Sequence, residues 1–163
     1  MSKLVPPSIY PTVIVSGGFD PIHAGHVRMI KEAAEHGKVI VVLNSDEWLE
    51  RKKGFYFMSW EERAEILLAI KGVVAVEAVD DSDNTVCEAL TRIKPTYFAN
   101  GGDRGKENTP EQDVCEKLNI NLIWGIGGDY KANSSSDLTS RLLLVHPSSK
   151  SLILDAFDRI LDD

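Results

Sequence analysis

Apolar and polar positions alternate along this chain in a way that separates short buried runs from longer helical stripes. Thr12-Val13-Ile14-Val15-Ser16 is a β-branched run bounded by Gly17-Gly18, which predicts a short buried strand. Val27, Ile30, Ala33 and Ala34 then recur at helical spacing and predict a helix over 25–36, stopped by Gly37. A second strand is expected over 39–44, followed by a basic loop that runs through Gly54. Ser59, with Glu62 three residues on, is the signature of a capping box, and the helix it opens carries Ile66, Leu67 and Ile70 before Gly72. Strand 73–79, an acidic turn at Asp80-Asp81-Ser82-Asp83, helix 85–93, strand 97–99, helix 110–118 and strand 121–124 complete the series. Five strands separated by helices require right-handed crossovers. The predicted fold is α/β, a Rossmann-like doubly wound five-stranded parallel sheet with helices on both faces.

The remaining apolar pattern lies in the tail. Ile153, Phe157 and Ile160 share one helical face with Leu154 and Leu161 beside it, so residues 147–163 are expected to form an amphipathic helix. It is expected to pack on the domain formed by residues 1–146, at a contact between two copies in a homodimer, or as a lid over the site. A chain of 163 residues is the size of one domain, and 43% hydrophobic with 26% charged residues is an ordinary globular balance.

Charge and targeting signals narrow the partners. A formal net charge of −7 argues against a nucleic-acid surface, so anions must be held by locally placed cations and backbone amides. The start of the chain, Met1-Ser2-Lys3-Leu4-Val5-Pro6-Pro7, lacks the apolar core of a signal peptide, and no stretch is long enough to span a membrane. Cys87 and Cys115 are far apart in sequence and belong to no metal-binding spacing. The expectation is a protein of the reducing cytoplasm.

In a doubly wound sheet, ligands bind beyond the carboxyl ends of the strands. The unusual residues of this chain fall there: 17–26, 44–54, 80–83, 100–104 and 125–136. Most informative is Gly17-Gly18-Phe19-Asp20-Pro21-Ile22-His23-Ala24-Gly25-His26. It lies where the first strand gives way to a helix, with two histidines one turn apart and glycines that let a ligand approach the backbone. Taken by itself, a His-x-x-His pair is also compatible with a metal site or with two satisfied surface histidines. Zinc would require a third ligand at a recognisable spacing, which the chain does not supply.

The block from Gly17 to His26 resembles the His-x-Gly-His signature of nucleotidyltransferases such as glycerol-3-phosphate, choline-phosphate and ethanolamine-phosphate cytidylyltransferases and heptose-1-phosphate adenylyltransferases. The likeness continues through Val41–Glu47, Lys53-Gly54, Glu62-Arg63 and Asn100-Gly101-Gly102-Asp103, and so runs from about Val13 to Arg141. It implies nucleotidyl transfer from a nucleoside triphosphate to a small phosphorylated acceptor, with Mg²⁺ arriving on the triphosphate and no protein metal ligands. His23, His26 and Lys53 take the catalytic positions. Gly17, Gly18, Phe19, Asp20, Gly25, Gly102, Asp103, Ser134, Ser135, Ser136 and Arg141 take nucleotide-binding ones, and Lys52, Arg63 and Asn44 acceptor-binding ones. Lys53 is expected in an exposed loop that closes on substrate. Asp20 is expected to orient the loop in which it lies or a Mg²⁺-bound water.

The chain also departs from the family pattern. Gly18 stands where a Thr or Cys is common, Thr139 where an arginine is common, and Lys71-Gly72-Val73-Val74 replaces the Arg-Tyr-Val-Asp run of cytidylyltransferases. Ile93–Asp103 looks more like the heptose-phosphate adenylyltransferases, whereas Lys53-Gly54-Phe55 looks like the choline-phosphate cytidylyltransferases. The expectation leans to ATP. A nicotinamide oxidoreductase is disfavoured because Gly17-Gly18-Phe19-Asp20 is not Gly-x-Gly-x-x-Gly. A non-catalytic nucleotide-binding protein on the same fold is the remaining alternative.

Overall fold

The computed structural model of the protein describes residues 10–101, 109–128 and 134–145. The predicted helix over 147–163, together with Gly102, Asp103 and Asn133, lies outside the described residues.

Five strands form one sheet: β1 Thr12–Gly17, β2 Lys38–Leu43, β3 Val73–Ala78, β4 Tyr97–Gly101 and β5 Asn121–Ile126. All neighbouring pairs are parallel and the order is β3-β2-β1-β4-β5, the doubly wound arrangement expected from the alternating pattern. Among the described residues the helices are α1 Ala24–Ala33, α2 Asp46–Lys53, α3 Trp60–Leu68, α4 Cys87–Ile93, α5 Gln112–Leu118 and α6 Ser135–Val145. None of them is long and apolar enough to cross a membrane.

Alternation along the strands divides the core between the two faces. Val13 and Val15 of β1, Val41 and Leu43 of β2 and Ala99 of β4 pack with Ile30 and Ala33 of α1 and Ala64 and Leu67 of α3. Ile14, Val42 and Phe98 pack on the other face with Ala89 and Leu90 of α4 and Cys115 of α5. Burial pushes the Cys115 thiol up to about 11, so it stays protonated and packs as a small apolar group.

One predicted element changes. The basic stretch after β2, expected as a loop, is helix α2. Its signals are local: Ser45 caps it by accepting from Trp48 N at 3.0 Å, and Asp46 and Glu47 lie in the first turn. Arg51, Lys52 and Lys53 stand at the negative end of the helix dipole, and Gly54 closes it in the left-handed conformation at φ 86°. Lys53 therefore ends a helix rather than riding a free loop. α1 also stops earlier than expected, at Ala33, three residues short of His36.

The sheet opens between its two middle strands. β1 is laddered to β2 along its whole length, to Gly17↔Leu43, but to β4 only through Val13↔Tyr97 and Ile14↔Phe98. The carboxyl ends of β1 and β4 thus part at the point where the strand order reverses, where a doubly wound sheet takes its ligand.

Candidate active site

His23 is the N-cap of α1, in extended conformation, and its Nδ1 accepts from Gly25 N at 3.1 Å. His26 reciprocates: its Nδ1 accepts from His23 N at 3.2 Å, so the two imidazoles make a capping box. The rings stack with centroids 3.8 Å apart. Gly25 is required by this arrangement, because a Cβ there would lie 2.9 Å from His23 Cε1. The histidine-any-glycine-histidine spacing thus has a local cause. The first imidazole folds back over the helix end and only glycine leaves it room.

This geometry fixes the protonation pattern. With both Nδ1 atoms accepting, each neutral ring carries its proton on Nε2 and presents an N–H donor. Burial lowers the His23 pKa. Burial, and then the neighbouring His23, lower His26 to about 3. The pair is built as two neutral donors. It also changes the expectation for the helix end: the amide of Gly25, expected to face ligand, is taken by His23 itself.

Behind the histidines the chain turns sharply. Phe19 adopts φ 50°, uncommon for a bulky residue, with its side chain buried and its ring 4.7 Å from that of His26. This turn drives Asp20 inward, where its carboxylate is fully buried and held at 2.9 Å by Lys53 Nζ. The same carboxylate accepts from Phe57 N at 2.6 Å and Met58 N at 2.7 Å, while Lys53 Nζ also donates to the Asp20 carbonyl at 2.6 Å. Of the two roles expected for Asp20, the geometry supports the loop: the carboxylate ties its own loop to residues 57–58 and to the ammonium that follows β2. Lys53 is correspondingly mostly enclosed.

Three expected contacts fall differently. Arg63, expected at the acceptor, is fully buried, because four of its N–H vectors are committed inside the protein. Its guanidinium donates to Gly18 O at 2.7 Å, Asn44 O at 2.9 Å and Met58 O at 3.0 Å and pairs with Asp46 Oδ1 at 2.5 Å. It ties the ends of β1 and β2 to the loop before α3. Asn44, also expected at the acceptor, is buried and turns its Nδ2 to Asp81 Oδ2 at 3.1 Å. Asp81 in turn accepts from Ser45 N and Ser45 Oγ at 2.8 and 2.7 Å, joining the acidic turn to the start of α2. Gly18 is small for packing: a Cβ there would meet Leu49 Cδ2 at 2.7 Å and Trp48 at 3.3 Å. Lys52 is exposed, with its Nζ 4.5 Å above the Trp48 ring.

The hydroxyl segment reaches the same region. Ser135 Oγ donates to Pro21 O at 3.0 Å, docking the start of α6 onto the histidine loop. The cap is Ser134, whose Oγ accepts from Asp137 N while its own N donates to Asp137 Oδ2, both at 3.0 Å, and Ser136 is exposed on the first turn. Arg141 lies exposed on α6, and Gly17 half-buried at the end of β1. On the far side, Gly127 N donates to Glu32 at 2.6 Å and joins the loop after β5 to α1.

The structure therefore gathers His23, His26, Asp20, Lys53 and Ser135 at the carboxyl end of β1 and places Arg63 and Asn44 beneath them. Two contributors had no counterpart among the expected site residues: Asp46 and Asp81. Asp46 followed a legible Ser-Asp-Glu helix start, whereas nothing distinguished Asp81 from its acidic neighbours. Among the described residues, no three His, Cys, Asp or Glu side chains converge as a metal site would need.

Residues 14–146 match the family described as cytidylyltransferase-like. An FAD synthase of Pyrococcus horikoshii is 37% identical over 113 residues, covering 68% of this chain and 70% of that protein. The bifunctional protein HldE of Geobacter metallireducens is 35% identical over 126 residues, covering 74% of this chain, which spans only 25% of that protein. A lipopolysaccharide core biosynthesis protein from Thermoplasma volcanium, 20% identical, shares the fold with a TM-score of 0.60 over 71% of this chain and 95% of its own. With a strand-to-helix histidine pair, a parallel five-stranded sheet and a match over most of its length, the chain belongs to the cytidylyltransferase-like family of nucleotidyltransferases.

Proposed function

We propose that this protein transfers a nucleoside monophosphate from a nucleoside triphosphate, preferentially ATP, to a small phosphomonoester. An oxygen of the acceptor phosphate attacks the α-phosphorus in line. The bond from the α-phosphorus to its bridging oxygen breaks, and pyrophosphate leaves on the opposite side. The nucleophile arrives ionised, so the protein's task is to position two polyanions and to cancel charge on the oxygens that gain it.

The observation that carries this reading is the pair of neutral Nε2–H donors, held by their own capping box at the carboxyl end of β1 beside the Lys53 ammonium. A neutral imidazole N–H is far too weak an acid to give its proton to the phosphates. It stabilises developing charge by hydrogen bonding alone. Lys53 supplies the full positive charge, and Asp20 fixes where that charge stands. Ser134 and Ser135, docked on the same loop, are within the reach of the outer phosphates in this reading, with Gly17 and Phe19 shaping the floor. Mg²⁺ comes with the triphosphate, bound by phosphate oxygens and water.

Two features support ATP: the stretch Ile93–Asp103, which resembles the adenylyltransferases, and the missing Arg-Tyr-Val-Asp run. Cytidylyl transfer is the second reading, favoured by Lys53-Gly54-Phe55. A coupled pyrophosphate assay decides, crossing ATP and CTP with glycerol 3-phosphate, heptose 1-phosphate, phosphocholine, phosphoethanolamine and, given the FAD synthase relative, flavin mononucleotide. Pyrophosphate released only with ATP and one acceptor is the expected result. Release with CTP alone overturns the base assignment, and no release with any pair, from a folded protein, overturns the transfer reading.

A further inference from the structure

Asn100 has a buried donor with nothing to donate to. The residue is 3% exposed, and its Nδ2 has no hydrogen-bond partner in the structure. A buried amide N–H left in that state opposes folding, so buried donors are nearly always paired, and exceptions concentrate where a ligand or a water completes the set.

Its position distinguishes between those completions. Asn100 lies on the part of β4 that has left β1: the ladder between them ends at Ile14↔Phe98, two residues earlier. On the other side the β4–β5 register shifts between Ala99 and Gly101, so Asn100 sits at an irregularity in that ladder as well. Such irregularities re-aim side chains and are over-represented beside active sites. The residue therefore stands at the carboxyl end of β4, beside the point where β1 and β4 part. The charge groups identified above lie on the other flank: Lys53 stands at the end of α2, which follows β2, and it is held by Asp20 after β1. In the order β2-β1-β4, a ligand whose phosphates face His23, His26 and Lys53 presents its other end to β4.

We propose that Asn100 is a nucleotide-binding residue whose Nδ2 donates to a neutral acceptor, a ring nitrogen or an oxygen, on the nucleoside half of the triphosphate. This rests on the nucleotidyl-transfer reading above. It adds a residue that reads the nucleoside half rather than the triphosphate, and it selects between ATP and CTP where the acceptor lies on the base, the part in which the two differ. In the unliganded protein the amide is an unmet donor; in the complex it is satisfied, so the same group that weakens the empty fold strengthens binding.

The test uses that opposition. N100L replaces the amide with an apolar group of similar volume, and N100S removes Nδ2 in case leucine fits poorly. Isothermal titration of the full chain with Mg²⁺–ATP, Mg²⁺–CTP and inorganic tripolyphosphate is paired with calorimetric melting of the unliganded proteins. The expected result has three parts: N100L melts at or above the wild-type temperature, its Kd for the nucleotide that wild type binds better rises about tenfold or more in both variants, and its Kd for tripolyphosphate is unchanged. An unchanged nucleotide Kd in both variants, with a lowered melting temperature, makes the amide a structural group and overturns the proposal while leaving nucleotidyl transfer intact. An equal loss for tripolyphosphate also overturns it, because the amide would then meet phosphate. A folded wild-type chain that binds neither nucleotide refutes this inference and the transfer reading together.

Discussion

Removing the charge of Asp20 should destabilise the protein and free the segment that carries Lys53. The carboxylate is fully buried and receives three donors: Lys53 Nζ at 2.9 Å and Phe57 N at 2.6 Å on one oxygen, and Met58 N at 2.7 Å on the other. In D20N the best orientation keeps the amide oxygen toward Phe57 and Lys53 and turns its NH₂ onto Met58 N–H, donor against donor. An unsatisfied buried N–H costs ~1–3 kcal/mol, and removing one partner of a buried ion pair costs ~3–5 kcal/mol in all. Lys53 keeps its second bond, to the Asp20 carbonyl, and is partly open to solvent, so the lower end applies: a loss of about 3 kcal/mol for D20N and more for D20A. In a chain of this length that is a fall in melting temperature on the order of 10 °C. Urea denaturation followed by tryptophan fluorescence measures the energy, and the rate of chymotryptic cleavage at Phe55, Tyr56 and Phe57 under native conditions measures the local opening. In the double variant D20N/K53M the losses should be less than additive, since each single variant already abolishes the pair. A D20N protein within about 0.5 kcal/mol of wild type, cleaved no faster, would refute the anchoring role.

Three further outcomes follow from the same geometry. H26A should lower kcat about a hundredfold or more by removing a preorganised donor, whereas H26Q, which presents a neutral N–H near the Nε2 position, should recover at least about tenfold of that; a glutamine variant as inactive as alanine would mean that the ring transfers a proton. The pH dependence of folding reports the same neutral state: His26 titrates near 3 when folded and near 6.5 when unfolded, so stability is complete above pH 6.5 and lost as pH falls, because the unfolded chain binds the extra proton. Between pH 7 and pH 5 urea titration should show wild type losing about 2 kcal/mol that H26Q retains, and equal losses would place the folded pKa near its ordinary value. R63K should cost about 3 kcal/mol or more of unfolding free energy, because an ammonium cannot reach the carbonyls of Gly18, Asn44 and Met58 and the Asp46 carboxylate together; a lysine variant of wild-type stability with a raised KM for the acceptor would return Arg63 to the ligand.

How far the site could be read in advance depends on the range of the interaction that built each part. The strands and their order were legible because buried parallel strands are uninterrupted apolar runs and crossovers have one hand. The histidine pair was legible because its geometry is made within four residues: cap, glycine and reciprocal imidazole are local chemistry. Helix α2 carries equally local signals, a serine cap, an acidic first turn and a closing glycine, but the run of three cations has the sequence appearance of a solvated loop. The roles of Arg63 and Asn44 could not be read this way. A cation and an amide at the ligand-facing ends of a sheet have the same sequence appearance whether they face the ligand or the backbone beneath it. What decides is the number of carbonyls within reach. Gly18 O, Asn44 O and Met58 O, from three separate segments, converge on one guanidinium only after β1, β2 and the loop before α3 have come together. Once they converge, leaving those carbonyls unmet costs more than a phosphate contact would return, so Arg63 stays beneath the site and determines the positions of the groups above it.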